Sequence, residues 1–206
     1  MTPETMNENF KAILKALKAE FDPEFVELKV EPGFQELNCF INVEKKVASD
    51  GGRIIYGWTI WEHKYFIEAE FHAVWENEDE DLIDITPKSN HATRILFVPD
   101  DRVVYDGKQV KNIRLNTSKS PLVNDLIIVC DAYFKITNSG NLAYEHGNIT
   151  NLLSPQQTVD IAYLNLTKNI IFALMQEDGS VDNLCKCNSG KKFKNCHGKD
   201  LAKKFK

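Results

Sequence analysis

Three cysteines and a histidine fall within thirteen residues near the C-terminus: Cys185, Cys187, Cys196 and His197. Two soft thiolates one residue apart, then a third beside an imidazole, form the donor set that favours a closed tetrahedral site for one structural Zn2+. So short a stretch has almost no core of its own, so metal binding would supply most of its folding free energy. Asn188 and the pair Ser189-Gly190 lie between the ligand pairs, where a tight knuckle needs residues that tolerate left-handed backbone. The other two cysteines, Cys39 and Cys130, are scattered through the chain, and an odd count argues against a disulfide framework. Cys130 directly follows the apolar stretch 126–129 and reads as core packing.

The run Cys185-Lys-Cys-Asn-Ser-Gly-Lys-Lys-Phe-Lys-Asn-Cys-His-Gly198 resembles the SEC-C motif, the short zinc-binding element at the C-terminus of the SecA translocase and of many unrelated proteins. Lys186 and Asn188 stand where that motif usually has Pro and Gly, and neither is a ligand. The resemblance implies that Lys186, Lys191, Lys192, Lys194 and Lys199 face an acidic protein partner or the ribosome. Nucleic acid is the other polyanion such a patch would attract. A solvated face without a partner is the plain alternative.

A second constellation is dispersed. In the segment Ala69 to Pro87, a strand would put Glu70, His72 and Val74 on one face and Ala69, Phe71, Ala73 and Trp75 on the other. An acidic turn at 77–81 would return the chain so that Asp84 comes beside His72 and fixes its tautomer. Cys39 stands in the first turn of an expected helix, where unpaired amides and the positive helix end favour a thiolate. Nucleophile, base and orienter then occur in the order Cys39, His72, Asp84, as thiol catalysis requires.

These residues resemble the papain-like and transglutaminase-like cysteine enzymes, in which a helix bearing Cys packs on a sheet bearing His and Asp. His72-Ala-Val-Trp-Glu76 and Asp84-Ile-Thr86 approximate the transglutaminase-like signature, with the tryptophan displaced by one place. Cys39-Phe-x-Asn42 followed by Tyr56-Gly-Trp58 is similar to small bacterial and phage thiol-hydrolase-like proteins. The resemblance implies hydrolysis or acyl transfer at an amide or thioester. No Gly-rich approach precedes Cys39, so the oxyanion donors are unassigned; its backbone amide and the Gln35 side chain are the nearest candidates. An inert core thiol and a satisfied strand histidine are the bland readings of Cys39 and His72.

The elements that must position these groups follow from periodicity. Phe10, Ile13, Leu14, Leu17 and Phe21 predict an amphipathic helix over 6–21 ended by Pro23. Residues 25–34 read as a strand or extended loop, and Asn38 as the cap of a helix from Cys39 to about Ala48. From Arg53 the period changes to two. Strands are expected at 54–61, 66–75, 82–85, 94–98 and 103–105. Ser120-Pro121 and Ser154-Pro155 look like helix starts, although the β-branched run 127–129 leaves the first open to a strand. Trp58, Trp61, Phe66, Phe71 and Trp75 read as sheet core, with Trp58 or Trp61 open to lining a groove beside Cys39. His63, His91 and His146 have no ligand spacing and read as surface, and the acidic run 76–81 lacks the glycine of a calcium loop.

The fold expected is α+β, helices on one antiparallel sheet, with a body over 1–180, the zinc motif over 183–198 and a basic tail over 199–206. Charge supports the division: the last 26 residues carry eight lysines against two aspartates, so the rest of a chain of net charge −5 is strongly acidic. No apolar run approaches the roughly 20 residues of a membrane span and no signal peptide is visible, so a cytoplasmic protein without membrane association is expected. Two functions stay open: a cysteine hydrolase or acyltransferase using Cys39, His72 and Asp84, or a non-catalytic adaptor that docks through its knuckle. A third keeps the fold and makes the trio a relic.

Overall fold

The structure is a computed structural model that describes all residues except 1, 4, 90, 91, 146, 147 and 206. The surface readings of His91 and His146, and the last lysine of the tail, lie outside the described residues. The chain divides into two compact units, one of residues 1–106 with 110–115 and one of 107–109 with 116–206. Among the described residues no helix is long and apolar enough to cross a membrane.

The first unit is a small barrel with two helices on its outside. Helix α1 (Glu8–Leu17) starts where the Asn7 side chain accepts from the Phe10 N–H at 2.9 Å. It buries Phe10, Ile13 and Leu17 on one face. Lys18, at φ 52°, ends it by giving its N–H back to Leu14 and Lys15, so the helix stops before Phe21 and well before Pro23. Strand β1 (Glu24–Leu28) follows, then α2 (Cys39–Asp50), β2 (Arg53–Glu62), β3 (Phe66–Glu76), β4 (Leu82–Asp84), β5 (Arg94–Pro99) and β6 (Ile113–Asn116).

Strands β2 and β3 form a long antiparallel pair running from Arg53 opposite Glu76 to Glu62 opposite Ile67. The strand order β2-β5-β1-β4-β3-β6, with β2 also paired to β3, closes the sheet. The α+β expectation of helices on a sheet holds, but the sheet closes on itself and is not wholly antiparallel. The segment read as strand or loop, β1, inserts between β5 and β4 and runs parallel to β4, pairing Leu28 with Asp84. Residues 103–105 form no strand; Tyr105 instead stacks on Phe40 with ring centroids 3.9 Å apart. Closure needs Gly57, because a Cβ there would sit 2.3 Å from the Val98 carbonyl oxygen and 2.6 Å from the Phe97 ring.

Strand residues alone fill the barrel: Val26, Trp61, Val74, Ile95 and Phe97 cluster together. The opposite faces carry the helices. The buried side of α1 meets Trp58, Ile60, Ile67, Ala69, Phe71, Leu96 and Val98, whereas Val43 of α2 meets Ala73, Ile83 and Ile85. Fully burying side chains of this size stabilises by roughly 1.5–3 kcal/mol each, which holds both helices to the strands. Trp58 and Trp61 are therefore core, their indole N–H groups donating to Asp100 at 3.0 Å and Glu70 at 2.8 Å.

The second unit is helical. Helices α3 (Pro121–Thr137) and α4 (Pro155–Gln176) both begin at the Ser-Pro pairs, and α3 packs on α4. Ser154 makes a full capping box with Gln157, and the strand alternative for 121–136 is settled by Leu122, Val123, Leu126 and Val129, buried at helical spacing. The Cys/His run and a last short helix, α5 (Leu201–Lys204), belong to this unit, with α5 against α3.

Candidate metal centre and candidate catalytic trio

The knuckle is a hairpin. Leu184 pairs with Lys192, the Cys185 N–H donates to the Lys191 carbonyl at 2.8 Å, and the Phe193 N–H donates to the Asn183 carbonyl at 2.9 Å. Asn188 at φ 61° and Gly190 at φ 71° make the turn, so Asn188 takes up the left-handed backbone in which asparagine is the best tolerated after glycine. Phe193, inside the knuckle, is fully buried. Gly198 lies flat on its ring, where a Cβ would come within 2.5 Å of a ring carbon.

This fold brings Cys185, Cys187, Cys196 and His197 together, with one donor atom of each within 4.8 Å of the others. The Cys185 sulfur lies 3.3 Å from His197 Nδ1, and the Cys196 sulfur lies 3.5 Å from both the Cys187 sulfur and that nitrogen. Ligands about 2.3 Å from one tetrahedral ion stand roughly 3.8 Å from each other, so the spacing and chemistry of the donors fit one such ion. Burial pushes the Cys185 thiol up to about 11, while the Ser189 hydroxyl, 3.3 Å from the Cys187 sulfur, pulls that thiol down to about 6. A bound cation would deprotonate all three. Tyr163 of α4 holds the last ligand from behind: its hydroxyl donates to the His197 carbonyl at 3.2 Å, and the two rings stack at 5.4 Å.

The five lysines of the motif are less free than their number suggests. Lys186 pairs with Glu177 at 2.5 Å, and Lys192 and Lys194 both reach Asp182, at 3.4 and 2.8 Å. Among the described residues Lys191 and Lys199 make no ion pair.

In the barrel unit, His72 and Asp84 are brought into direct contact. His72 Nε2 lies 3.0 Å from Asp84 Oδ2, with the histidine 4% exposed and the aspartate 0%. The other carboxylate oxygen accepts from the Thr86 N–H at 2.9 Å. Burial opposes charge on His72, but the Asp84 carboxylate outweighs it and carries the ring's pKa up to about 9, with Lys88 opposing and Cys39 adding. Burial likewise opposes charge on Asp84, and His72 with Lys88 brings it down to about 2.

Cys39 opens α2 and is buried. Among the described residues no hydrogen bond joins Cys39 to His72. Asn38 is the cap residue, but its amide donates to the Gln35 side chain at 3.0 Å rather than accepting from the helix. Two residues of this site carry roles that the sequence did not disclose. Asn42, buried on α2, donates to the Gln35 carbonyl at 2.8 Å and to the Thr86 hydroxyl at 3.2 Å, tying the loop before Cys39 to the segment after Asp84. Lys88 places its ammonium 3.0 Å from Asp84 Oδ2 and 3.2 Å from His72 Nε2.

The remaining candidates stay ordinary. His63 stacks on Phe66 at 4.2 Å, half-exposed, and the acidic turn closes on the Asn77 side chain, which accepts from the Asp79 and Asp81 N–H groups at 3.0 and 2.8 Å. Cys130 is half-buried on α3, and among the described residues no disulfide forms.

The SEC-C motif matches residues 183–199, the stretch that carries all four donors. Motif and cluster together support metal binding and suggest a zinc site. No curated protein and no solved structure matches the chain, so the likeness of residues 39–86 to papain-like and transglutaminase-like enzymes rests on its own residues.

Proposed function

We propose that this protein is a thiol-dependent hydrolase or acyltransferase of papain-like or transglutaminase-like type, carrying a structural zinc knuckle. The observation that supports it is the buried His72–Asp84 contact at 3.0 Å. With Nε2 committed to the carboxylate, Nδ1 is the ring nitrogen left to exchange a proton with Cys39.

In this reading the Cys39 thiolate attacks the carbonyl carbon of an amide or thioester. The His72 imidazolium gives its proton to the departing amine or thiol, which leaves the acyl group on sulfur. Water or an amine then attacks the thioester, His72 takes the incoming proton, and Cys39 is released as thiolate. Asp84 holds the ring and stabilises its charge throughout. The Cys39 N–H and the Gln35 amide are the oxyanion donors offered by the loop that Asn42 fixes. The knuckle's four donors leave no open position for substrate, so a zinc ion there supplies folding free energy to its own unit. A reducing compartment, the cytoplasm, keeps these thiols available.

The adaptor reading, in which the knuckle docks on an acidic protein, the ribosome or nucleic acid, has a narrower base, since three of its five lysines already face carboxylates.

Alkylation of zinc-loaded protein by iodoacetamide, followed by peptide mass, tests the proposal. Cys39 should react at pH 7 at least about tenfold faster than an unperturbed thiol, and His72→Ala or His72→Gln should remove that excess. Equal rates in wild type and both variants would reject the catalytic assignment.

A further inference from the structure

We infer that Lys88 is a fourth member of the Cys39–His72–Asp84 site, a positioning residue that takes up the charge of Asp84 and so keeps the imidazole proton exchangeable with the Cys39 thiol. The inference rests on the thiol-catalytic reading just given and adds to it a residue outside the family-like segments.

The geometry begins with the carboxylate. Asp84 is 0% exposed, and both of its oxygens are engaged: Oδ1 accepts from the Thr86 N–H, while Oδ2 faces His72 Nε2 and Lys88 Nζ, each at 3.0 Å. Lys88 is itself largely buried, 14% exposed at the side chain, so this is not a solvent-screened surface pair. The third side of the triangle, Lys88 Nζ to His72 Nε2, is 3.2 Å. Nε2 cannot donate to Asp84 and accept from Lys88 at once. With the ring proton on Asp84, the lysine stands beside the imidazole as a bare like charge.

Charge counting gives the consequence. The charged and titratable groups facing His72 are Asp84 from β4, Lys88 from the segment after it and Cys39 from α2. Without Lys88, one buried carboxylate faces one imidazole, and a lasting Asp84⁻–His72⁺ pair is the neutral arrangement. The ring would then hold its proton to a still higher pH than it does beside the lysine. With Lys88 present the carboxylate is already balanced. The remaining proton is shared between His72 and Cys39, and neutral thiol with neutral imidazole or thiolate with imidazolium leaves the cluster at the same net charge. The two protons titrate as one coupled system, and a fixed positive charge beside it lowers both apparent values.

The test compares Lys88→Met, which removes the charge, with Lys88→Arg, which keeps it, in full-length zinc-loaded protein. The His72 ring is followed by NMR titration, and Cys39 alkylation by its pH–rate profile. Lys88→Met should raise the His72 midpoint by about one unit and move the alkylation profile to higher pH by a similar amount, with Lys88→Arg close to wild type. A merely structural lysine would not move the titration of a folded protein. If Lys88→Met does not fold by circular dichroism, Lys88→Gln carries the same expectation with a polar side chain. An unchanged His72 midpoint in the neutral variant, or an equal shift in Lys88→Arg, overturns the inference. Absence of enhanced Cys39 alkylation in wild type would instead overturn the catalytic reading, while the His72 titration would still report on Lys88.

Discussion

The knuckle and the trio assemble reactive groups by opposite means. In the knuckle, four donors lie within thirteen residues, and one hairpin with two left-handed turn residues brings them together. The hairpin's backbone hydrogen bonds, the buried Phe193 and the Tyr163 contact hold them there. In the barrel, the three candidate residues span 39 to 84 and come from a helix and two strands, and they are held by a closed sheet and two apolar clusters. A local site spends little chain entropy but has no core. A dispersed site inherits rigidity from a core that it does not build. The first should therefore fail when its ion is removed, and the second when its charges are unbalanced.

The largest expected effect follows directly. Stripping the metal with a strong chelator, or replacing Cys185 with Ser, should abolish hydrogen-exchange protection across residues 183–199 and reduce bound zinc from about one equivalent to none. The barrel amides should keep their protection. Loss of protection in both units would end the contrast by showing that the knuckle's metal also supports the barrel. Retained protection in the chelated knuckle would show that Phe193 and Tyr163 suffice without an ion.

Asp84→Ala comes next. It leaves the Lys88 ammonium buried beside the His72 ring with no carboxylate to face, and breaking a buried pair in this way costs on the order of 3–5 kcal/mol. Urea denaturation should report a destabilisation of that order with zinc content unchanged. A loss below about 1 kcal/mol would mean that the carboxylate is far less dry than its burial indicates.

The same pair sets a pH window. The imidazole is raised from its ordinary 6.5 to about 9, so its contribution is complete below pH 6.5 and is lost as pH rises through 9. The carboxyl is lowered from 3.8 to about 2, so its contribution is complete above pH 4 and is lost as pH falls through 2. Stability from the pair is thus full between about pH 4 and 6.5, and up to about 3 kcal/mol of it should fade between pH 6.5 and 9. Melting temperatures of wild type should fall over that range, and those of Asp84→Asn should stay nearly level. Parallel curves would place the pH dependence elsewhere in the chain.

How much of each region was legible in the sequence reflects the same contrast. The knuckle's ligands, its tight turn and even the tolerance of Asn188 follow from short-range spacing, because every interaction that forms it is local. His72 and Asp84 were legible as partners because strand alternation and a short acidic turn constrain two neighbouring strands. Barrel closure was not, since it depends on β1 running parallel to β4 and on β2 meeting β5, pairings far apart in the chain that no periodicity encodes. The tie that Asn42 makes, and Lys88 altogether, escaped for a related reason. Asn42 acts across 44 residues on Thr86, and Lys88 lies beyond the end of β4, where no element pattern predicts the direction of its side chain.

The smallest expected effect concerns the lysines around the metal. Lys194 sits half-exposed 2.8 Å from Asp182, which also receives Lys192 at 3.4 Å. Exposed pairs of this kind are worth about 0–1 kcal/mol, and Lys192 can take over the carboxylate when its neighbour is lost. Lys194→Gln should change unfolding free energy by less than about 0.5 kcal/mol and leave the zinc equivalent intact, since the ligand geometry depends on the hairpin and Phe193 rather than on surface charge. A measurable fall in zinc affinity for this variant would break the comparison at its simplest point, because the knuckle would then depend, like the buried trio, on a balance of charges around its reactive groups.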